Sequence, residues 1–267
     1  MLTDTGERML PESSSPAVFW EHVYRYAFAL PFARGKTVLD IACGAGYGTA
    51  ALGRAGAARV IGVDISEAAC QYARSIYGIE AMVGDASAIP IANDSVDLVV
   101  SFETIEHVSK PATFLQECRR VLKPGGRIIL STPNRDIYRK FCPENQFHCA
   151  EMNFTQFTHA CELQFHSIRF FTQRPFFTPW WSPRALAADY WSHNPNHIVN
   201  CTIRWSRRLL FRSTSRARTA HYRAAPVEAI LDRRRVLFDC FNPYQVRPLS
   251  RLAPEEPVYY LATGLKT

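Results

Sequence analysis

Three residues that can take or hold a proton fall in one short segment, Phe102-Glu103-Thr104-Ile105-Glu106-His107-Val108. On a helical turn, positions i, i+3 and i+4 share a face, which would bring Glu103, Glu106 and His107 together. An imidazole steadied by a carboxylate is a general base for a hydroxyl proton. The same three side chains could instead hold a divalent ion, or could simply start a helix through hydrogen bonds. The general-base reading is adopted, with His107 as base and Glu103 beside it, and no metal is assigned. Further on, His148 and Glu151 form a second polar pair. His148 is a third catalytic candidate, reaching the same crevice from its rim; its alternative is loop packing.

Such a group needs a scaffold, and the chain supplies one upstream. Thr37-Val38-Leu39-Asp40-Ile41-Ala42-Cys43-Gly44-Ala45-Gly46-Tyr47-Gly48 is a short apolar run followed by a glycine turn. A strand, a glycine turn and a helix in that order make a nucleotide-binding edge in a parallel α/β sheet. Glycine lets the backbone approach a ligand and tolerates positive φ. The spacing is G-x-G-x-G rather than the G-x-G-x-x-G of a pyrophosphate cradle, which disfavours a nicotinamide dinucleotide. Asp40 could hold an ammonium, or order water beside it. The second strand, Arg59 to Asp64, ends in an acid at the distance expected for a carboxylate that binds ribose hydroxyls. A helix from Ser66 to Tyr77, stopped by Gly78, leads to a third strand, Ile79 to Val83, and then to Gly84-Asp85-Ala86. Ile89, Pro90 and Ile91 could pack on a base or only on their own loop.

Val96 to Ser101 reads as a buried fourth strand. Its end, Ser101-Phe102-Glu103, falls at the crevice where a doubly wound sheet binds ligands. Pro111 opens another helix, Lys123-Pro124-Gly125-Gly126 is a tight turn, and Arg127 to Thr132 is a fifth strand. A helix over Phe154 to Leu163, a sixth strand over Ser167 to Phe171 and a last strand over Val258 to Thr263 follow. Before all of these, Phe19, Val23, Tyr26, Ala27 and Leu30 recur at helical spacing, and Pro31 ends or kinks that helix.

Val38 to Gly46, the Asp64 and Asp85 positions and the Lys-Pro-Gly-Gly turn resemble the class I S-adenosylmethionine-dependent methyltransferases in order and spacing. That resemblance implies a doubly wound, mostly parallel seven-stranded α/β sheet whose last strand is antiparallel. It implies S-adenosylmethionine as cofactor, with Asp85 facing the adenine amino group and the next backbone N–H facing a ring nitrogen. The cofactor residues it assigns are Asp40, Ala42, Gly44, Gly46, Tyr47, Asp64, Ile65, Asp85, Ala86, Ser101 and Phe102. The Glu103-Glu106-His107 pattern is similar to that of quinone-biosynthesis O-methyltransferases. Gly6-Glu7-Arg8, His22 through Tyr26 and Asn145-Gln146-Phe147-His148 loosely resemble methyltransferases found with bacterial surface-polysaccharide enzymes. The expected activity is methyl transfer to an oxygen or nitrogen of a small-molecule, sugar or glycolipid acceptor. RNA or protein acceptors, and a cofactor-binding scaffold without catalysis, stay open. Amino-methylating DNA enzymes carry a different motif after strand four, so no DNA partner is expected.

The 267 residues suffice for one α/β domain with an insertion, and 47% hydrophobic with 21% charged residues is ordinary for a globular chain. The expected organisation is an N-terminal helical lid over 1–30 with Arg25 as a candidate for the cofactor carboxylate, a core over 31–172, an insertion over 173–256 and a last strand over 257–267. The insertion carries Trp180, Trp181, Tyr190 and Trp191, then an arginine run from Arg204 to Arg218. With a net charge of +7, that run suits an anionic acceptor or contact with a membrane surface. Eight cysteines without a C-x-x-C pair read as reduced thiols, and a polar, acidic N-terminus is unlike a signal peptide, so a cytoplasmic location is expected. Cys142, His148, Cys149, His159 and Cys161 match no standard zinc spacing.

Overall fold

A computed structural model describes residues 8–10, 14, 16–140, 142–175, 227, 230–231, 246–248 and 257–267. The helix α1 (Pro16–Ala33) runs through Pro31 for two more residues rather than ending there. Alternating strands and helices follow: β1 (Thr37–Ile41), α2 (Tyr47–Arg54), β2 (Arg59–Asp64), α3 (Glu67–Tyr77), β3 (Glu80–Val83) and β4 (Val96–Phe102). Then come a 3-10 turn (Ile105–His107), α4 (Pro111–Val121), β5 (Leu122–Pro133), α5 (Arg135–Tyr138), α6 (Phe154–Glu162), β6 (His166–Pro175), β7 (Arg247–Pro248) and β8 (Pro257–Leu265).

The sheet order is β3-β2-β1-β4-β5-β8-β6-β7. β1 to β5 pair in parallel, and β8 lies antiparallel to both β5 and β6. This is the doubly wound, mostly parallel seven-stranded sheet with an antiparallel last strand. The two-residue β7 adds an eighth member at the edge, antiparallel to β6. The chain order reverses between β1 and β4, so the crevice opens at their carboxyl ends. Most of the insertion over 173–256, including its tryptophans and arginine run, lies outside the described residues.

Period-two alternation sorts the strand side chains onto two faces. Leu39 and Ile41 join Ile61, Val63, Phe114 and Phe157 under α4 and α6. Val38, Leu98 and Val100 pack under α1 and α2 with Val23, Tyr26, Ala51 and Leu52. Asp40 falls between Leu39 and Ile41, so it points to the α1 and α2 side.

Local signals explain the element ends. Ser66 caps α3 by accepting from the Ala69 N–H, and Gly78 ends it at φ 64°. Asn153 and Gln156 form a reciprocal capping box on α6. The Lys123-Pro124-Gly125-Gly126 stretch is not a free turn. It is an irregular start of β5, where Val96 pairs with Leu122 but Leu98 pairs with Arg127. Gly125 and Gly126 exchange backbone bonds with Lys266 at 2.9 Å, so the extra residues are absorbed as a bulge against the chain end.

Candidate active site

A cavity of about 590 Å³ opens at the carboxyl ends of the strands. One wall comes from the turns after β1, β2 and β3: Ala42, Gly44, Tyr47, Asp64, Ile65, Asp85 and Ala86 all line it. The other comes from the end of β4, with Phe102, Glu103, Thr104 and His107. Arg8, His22 and Tyr26 border it from the N-terminal segment and α1.

The first wall is organised by Asp64. Its Oδ2 accepts from the Gly44 N–H at 2.8 Å and its Oδ1 from the Ser66 N–H at 2.9 Å. Arg8 Nη2 stands 3.5 Å from Oδ1. Because Ser66 caps α3, Asp64 is not spent as a helix cap. Gly44, at φ 55°, holds the left-handed conformation that turns its N–H toward this acid. Asp85 Oδ1 accepts from both the Ser87 N–H and its hydroxyl at 2.7 Å. These two bonds hold its carboxyl below the usual range.

Several expected cofactor residues stand behind this wall rather than on it. Asp40 is fully buried and does not border the cavity. It accepts from Thr49 Oγ1 at 2.6 Å and faces the Tyr26 hydroxyl at 3.2 Å. Burial raises its pKa to about 7, against the opposing effect of these two donors. Tyr26 does line the cavity, so the phenol stands between Asp40 and the cavity. Gly46 is also off the lining. A Cβ on it would fall 2.5 Å from Ala73 Cβ and 2.9 Å from Ile79 Cδ1, so it is glycine to let α2 seat against α3. Ser101 is buried and donates to Thr104 Oγ1 at 2.8 Å. Ile89 belongs to the core, not to a base-binding surface.

The second wall departs further from the helical-face expectation. Glu103 has φ 53°, strained for a residue with a side chain, and lies outside the 3-10 turn. Its N–H donates to Ser131 Oγ at 3.1 Å, and that hydroxyl donates back to Glu103 Oε1 at 2.6 Å. Arg25 Nη1 lies 3.6 Å from the same oxygen. Glu103 therefore turns toward β5 and α1, and does not orient His107. Glu106 is the nearer carboxyl, its Oε1 4.0 Å from His107 Nε2 and too far for a hydrogen bond. His107 Nδ1 lies 3.0 Å from the Phe147 carbonyl oxygen, which can only accept, so Nδ1 carries the proton and Nε2 the basic lone pair. Glu106 is fully buried, and burial pushes its carboxyl well above the usual carboxylate range, with the charge of Glu103 adding to the effect.

His148 does not border the cavity but packs edge-on against the His107 ring, centroids 4.8 Å apart. Its Nδ1 is 2.8 Å from Glu151 Oε1, so the sequence pair is a real contact. Arg25, the lid candidate, is buried and absent from the cavity wall. It donates from Nε to Gln173 Oε1 at 2.8 Å and lies 4.3 Å from the Tyr259 ring centroid, anchoring α1 to β6 and β8. Arg8 reaches the cavity instead. Only the loose resemblance of Gly6-Glu7-Arg8 pointed to it, because nothing local in an N-terminal arginine tells where it folds back.

A carboxylate at the end of β2, a glycine turn opening a helix, and an acid followed by a backbone N–H after β3 suit an adenosine bearing an amino-acid end. Comparisons agree with that donor set. Residues 39–130 match the family described as "Methyltransferase domain". They form a class I S-adenosylmethionine-dependent methyltransferase domain. S-adenosylmethionine is the cofactor of this family, and Asp64, Gly44 and Asp85 are the residues of this chain that would hold it. A Mycolicibacterium smegmatis protein named "Probable S-adenosylmethionine-dependent methyltransferase" is 37% identical over 162 residues, 59% of this chain and 63% of that protein. The chain thus spans less than two thirds of that methyltransferase relative. A "Ubiquinone biosynthesis O-methyltransferase" of Pseudomonas paraeruginosa is 38% identical over 109 residues, 38% of this chain and 46% of that protein. A solved Thermotoga maritima "SAM-dependent methyltransferase, possible histamine N-methyltransferase" superposes with TM-score 0.58 at 17% identity, covering 94% of this chain and 91% of that one. At that identity the methyltransferase domain and this relative share the fold alone. Among the described residues, no helix is long and apolar enough to cross a membrane.

Proposed function

We propose that the chain transfers a methyl group from S-adenosylmethionine to an oxygen of a small-molecule hydroxyl acceptor. The observation that carries this reading is the 3.0 Å contact of His107 Nδ1 with the Phe147 carbonyl oxygen, from which the tautomer follows. With Nδ1–H committed to the Phe147 carbonyl, the basic nitrogen is Nε2, beside the buried Glu106, on a residue of the cavity wall. When bound, the cofactor supplies a methyl group already activated by its sulfonium charge. The protein then has to hold the acceptor in line, within about 3–3.5 Å, and keep water out. A hydroxyl must also lose its proton to become a good nucleophile, which is worth about 10²–10⁴-fold when a placed base takes it. The O-methyltransferase name of the Pseudomonas relative supports an oxygen acceptor. A sugar or glycolipid hydroxyl is the finer form of this reading; it is supported by the loose likeness around Gly6 to Arg8 and Asn145 to His148, and by the arginine-rich insertion, which would suit an anionic carrier.

Calorimetry with S-adenosylhomocysteine and with NAD tests the cofactor. Binding of the first and not the second is expected, and the reverse would overturn the proposal. Incubation of cell extract with the protein and methyl-labelled S-adenosylmethionine, followed by mass spectrometry of small molecules and glycans, tests the acceptor. Label is expected on a hydroxyl oxygen; label on nitrogen alone would sink the oxygen assignment.

A further inference from the structure

Behind His107 the side chains are arranged more elaborately than proton transfer by one imidazole requires. Glu106 is fully buried, and its Oε2 accepts from Thr132 Oγ1 at 3.1 Å. Among the described residues, Oε1 has no hydrogen-bond partner. A buried carboxylate oxygen left unsatisfied is costly and calls for a cation or donor at that point. Oε1 is 4.0 Å from His107 Nε2, and one ligand atom each from Glu106, His107 and His148 lies within 4.8 Å of the others.

The outer atoms of all three are tied down. His107 Nδ1 is held by the Phe147 carbonyl and His148 Nδ1 by Glu151, whose other oxygen is gripped by Arg139 Nε at 2.6 Å. The Glu106 carbonyl accepts from both the Cys149 and Ala150 N–H groups at 2.9 Å, docking the loop that carries His148 onto the turn that carries Glu106. An imidazole whose Nδ1–H is fixed by a carboxylate or a carbonyl, with Nε2 directed inward, is how proteins orient histidine toward a metal.

We propose that Glu106, His107 and His148 form a binding site for a divalent transition-metal ion such as zinc or cobalt. Two imidazoles and one carboxylate make a borderline donor set that suits these ions better than magnesium or calcium, which prefer all-oxygen sites. Bonds of about 2.0–2.2 Å require the three atoms to draw together by about 1 Å, a side-chain adjustment. The ligands are not the Glu103-Glu106-His107 set that spacing along the chain suggests, because Glu103 is bound to Ser131 and Arg25. The use of the ion rests on the methyl-transfer reading; its binding does not. Since His107 lines the cavity, a hydroxyl of the acceptor could take an open position on the ion and be acidified. With the ion bound, His107 Nε2 is a ligand and no longer the base, so the ion takes over that role: the O–H bond breaks, the proton leaves to solvent, and the electron pair stays on oxygen to attack the methyl carbon as its bond to sulfur breaks.

The test uses the full chain, stripped with a chelator and titrated with zinc by calorimetry and with cobalt by visible absorption. One ion per chain is expected, with cobalt bands of nitrogen and oxygen ligation. His148→Ala should abolish tight binding, and Glu151→Gln, which keeps all three ligands, should weaken it about 10–100-fold. Circular dichroism and S-adenosylhomocysteine affinity serve as controls and should not change. The proposal is overturned if no stoichiometric ion binds, or if binding survives both variants or shows thiolate charge-transfer bands. S-adenosylhomocysteine binding without the ion would remove only the metal; ion binding lost with His148 but without S-adenosylhomocysteine binding would keep the metal and remove the methyltransferase reading.

Discussion

The wall at the ends of β1, β2 and β3 is made mostly of backbone and short-range contacts, while the wall at β4 and β5 is made of side chains from distant segments. Asp64 takes its hydrogen bonds from residues 2 and 20 positions away, with Arg8 of the N-terminal segment added as a longer-range ion partner. On the other wall, Glu106 is held across 26 positions, His107 across 40, and Arg25 behind them across 148. A wall of the first kind can be read and damaged locally. One of the second kind depends on how the sheet closes around β8. The contrast predicts that cofactor binding and acceptor chemistry can be separated by single substitutions.

The largest effect is expected from His107→Ala. Turnover should fall about 10²–10⁴-fold while S-adenosylhomocysteine affinity stays within twofold. A parallel loss of nucleoside affinity by calorimetry would merge the two walls. Asp40→Asn comes next and probes the layer behind both. The Asp40 pKa is raised from 3.8 to about 7 in the folded state, so between those values the native chain keeps a proton that the unfolded chain has released. That contribution is complete below pH 3.8 and is lost as pH rises through 7. The shift corresponds to about 4 kcal/mol, so the stability difference between wild type and variant should change by up to that much across the window. Denaturant midpoints from pH 4.5 to 7.5 that run parallel would rule the linkage out.

Gly48→Ala should destabilise by about 1–3 kcal/mol. A helix interior normally gains from that change by about 1 kcal/mol, but here the new Cβ would sit 1.9 Å from Tyr26 Cζ. A raised melting temperature would show that Tyr26 yields freely and that α1 is not fitted to the glycine turn. Asp64→Ala should be the mildest. A tenfold or greater loss of nucleoside affinity, about 1.4 kcal/mol, is expected with turnover at saturating cofactor largely kept. Unchanged affinity would discard its ribose role.

Much of the core could be read from the chain, for identifiable reasons. β2, from Arg59 to Asp64, has the same bounds in both readings because an apolar run ends in an acid and a serine cap follows. The acceptor side was legible only as a set of residue types. Helical spacing put Glu103 with His107, but a left-handed φ at Glu103 turns it to Ser131, and His148 arrives from a loop after β5. Asp40 looked like a ligand contact because it sits in the right motif. Period-two alternation put its side chain under α1, where Tyr26 meets it.

Local order along the chain, carried by apolar runs, glycines and caps, was enough to determine the parallel sheet, the crevice at its switch point and the nucleoside-binding edge, since each depends on residues within about twenty positions. Which side chains face the crevice, and which only support those that do, was decided by tertiary structure. The reason is that β8 enters between β5 and β6 and the loop with His148 docks on the Glu106 carbonyl. Contacts across such separations are set by sheet closure, and no local propensity encodes them.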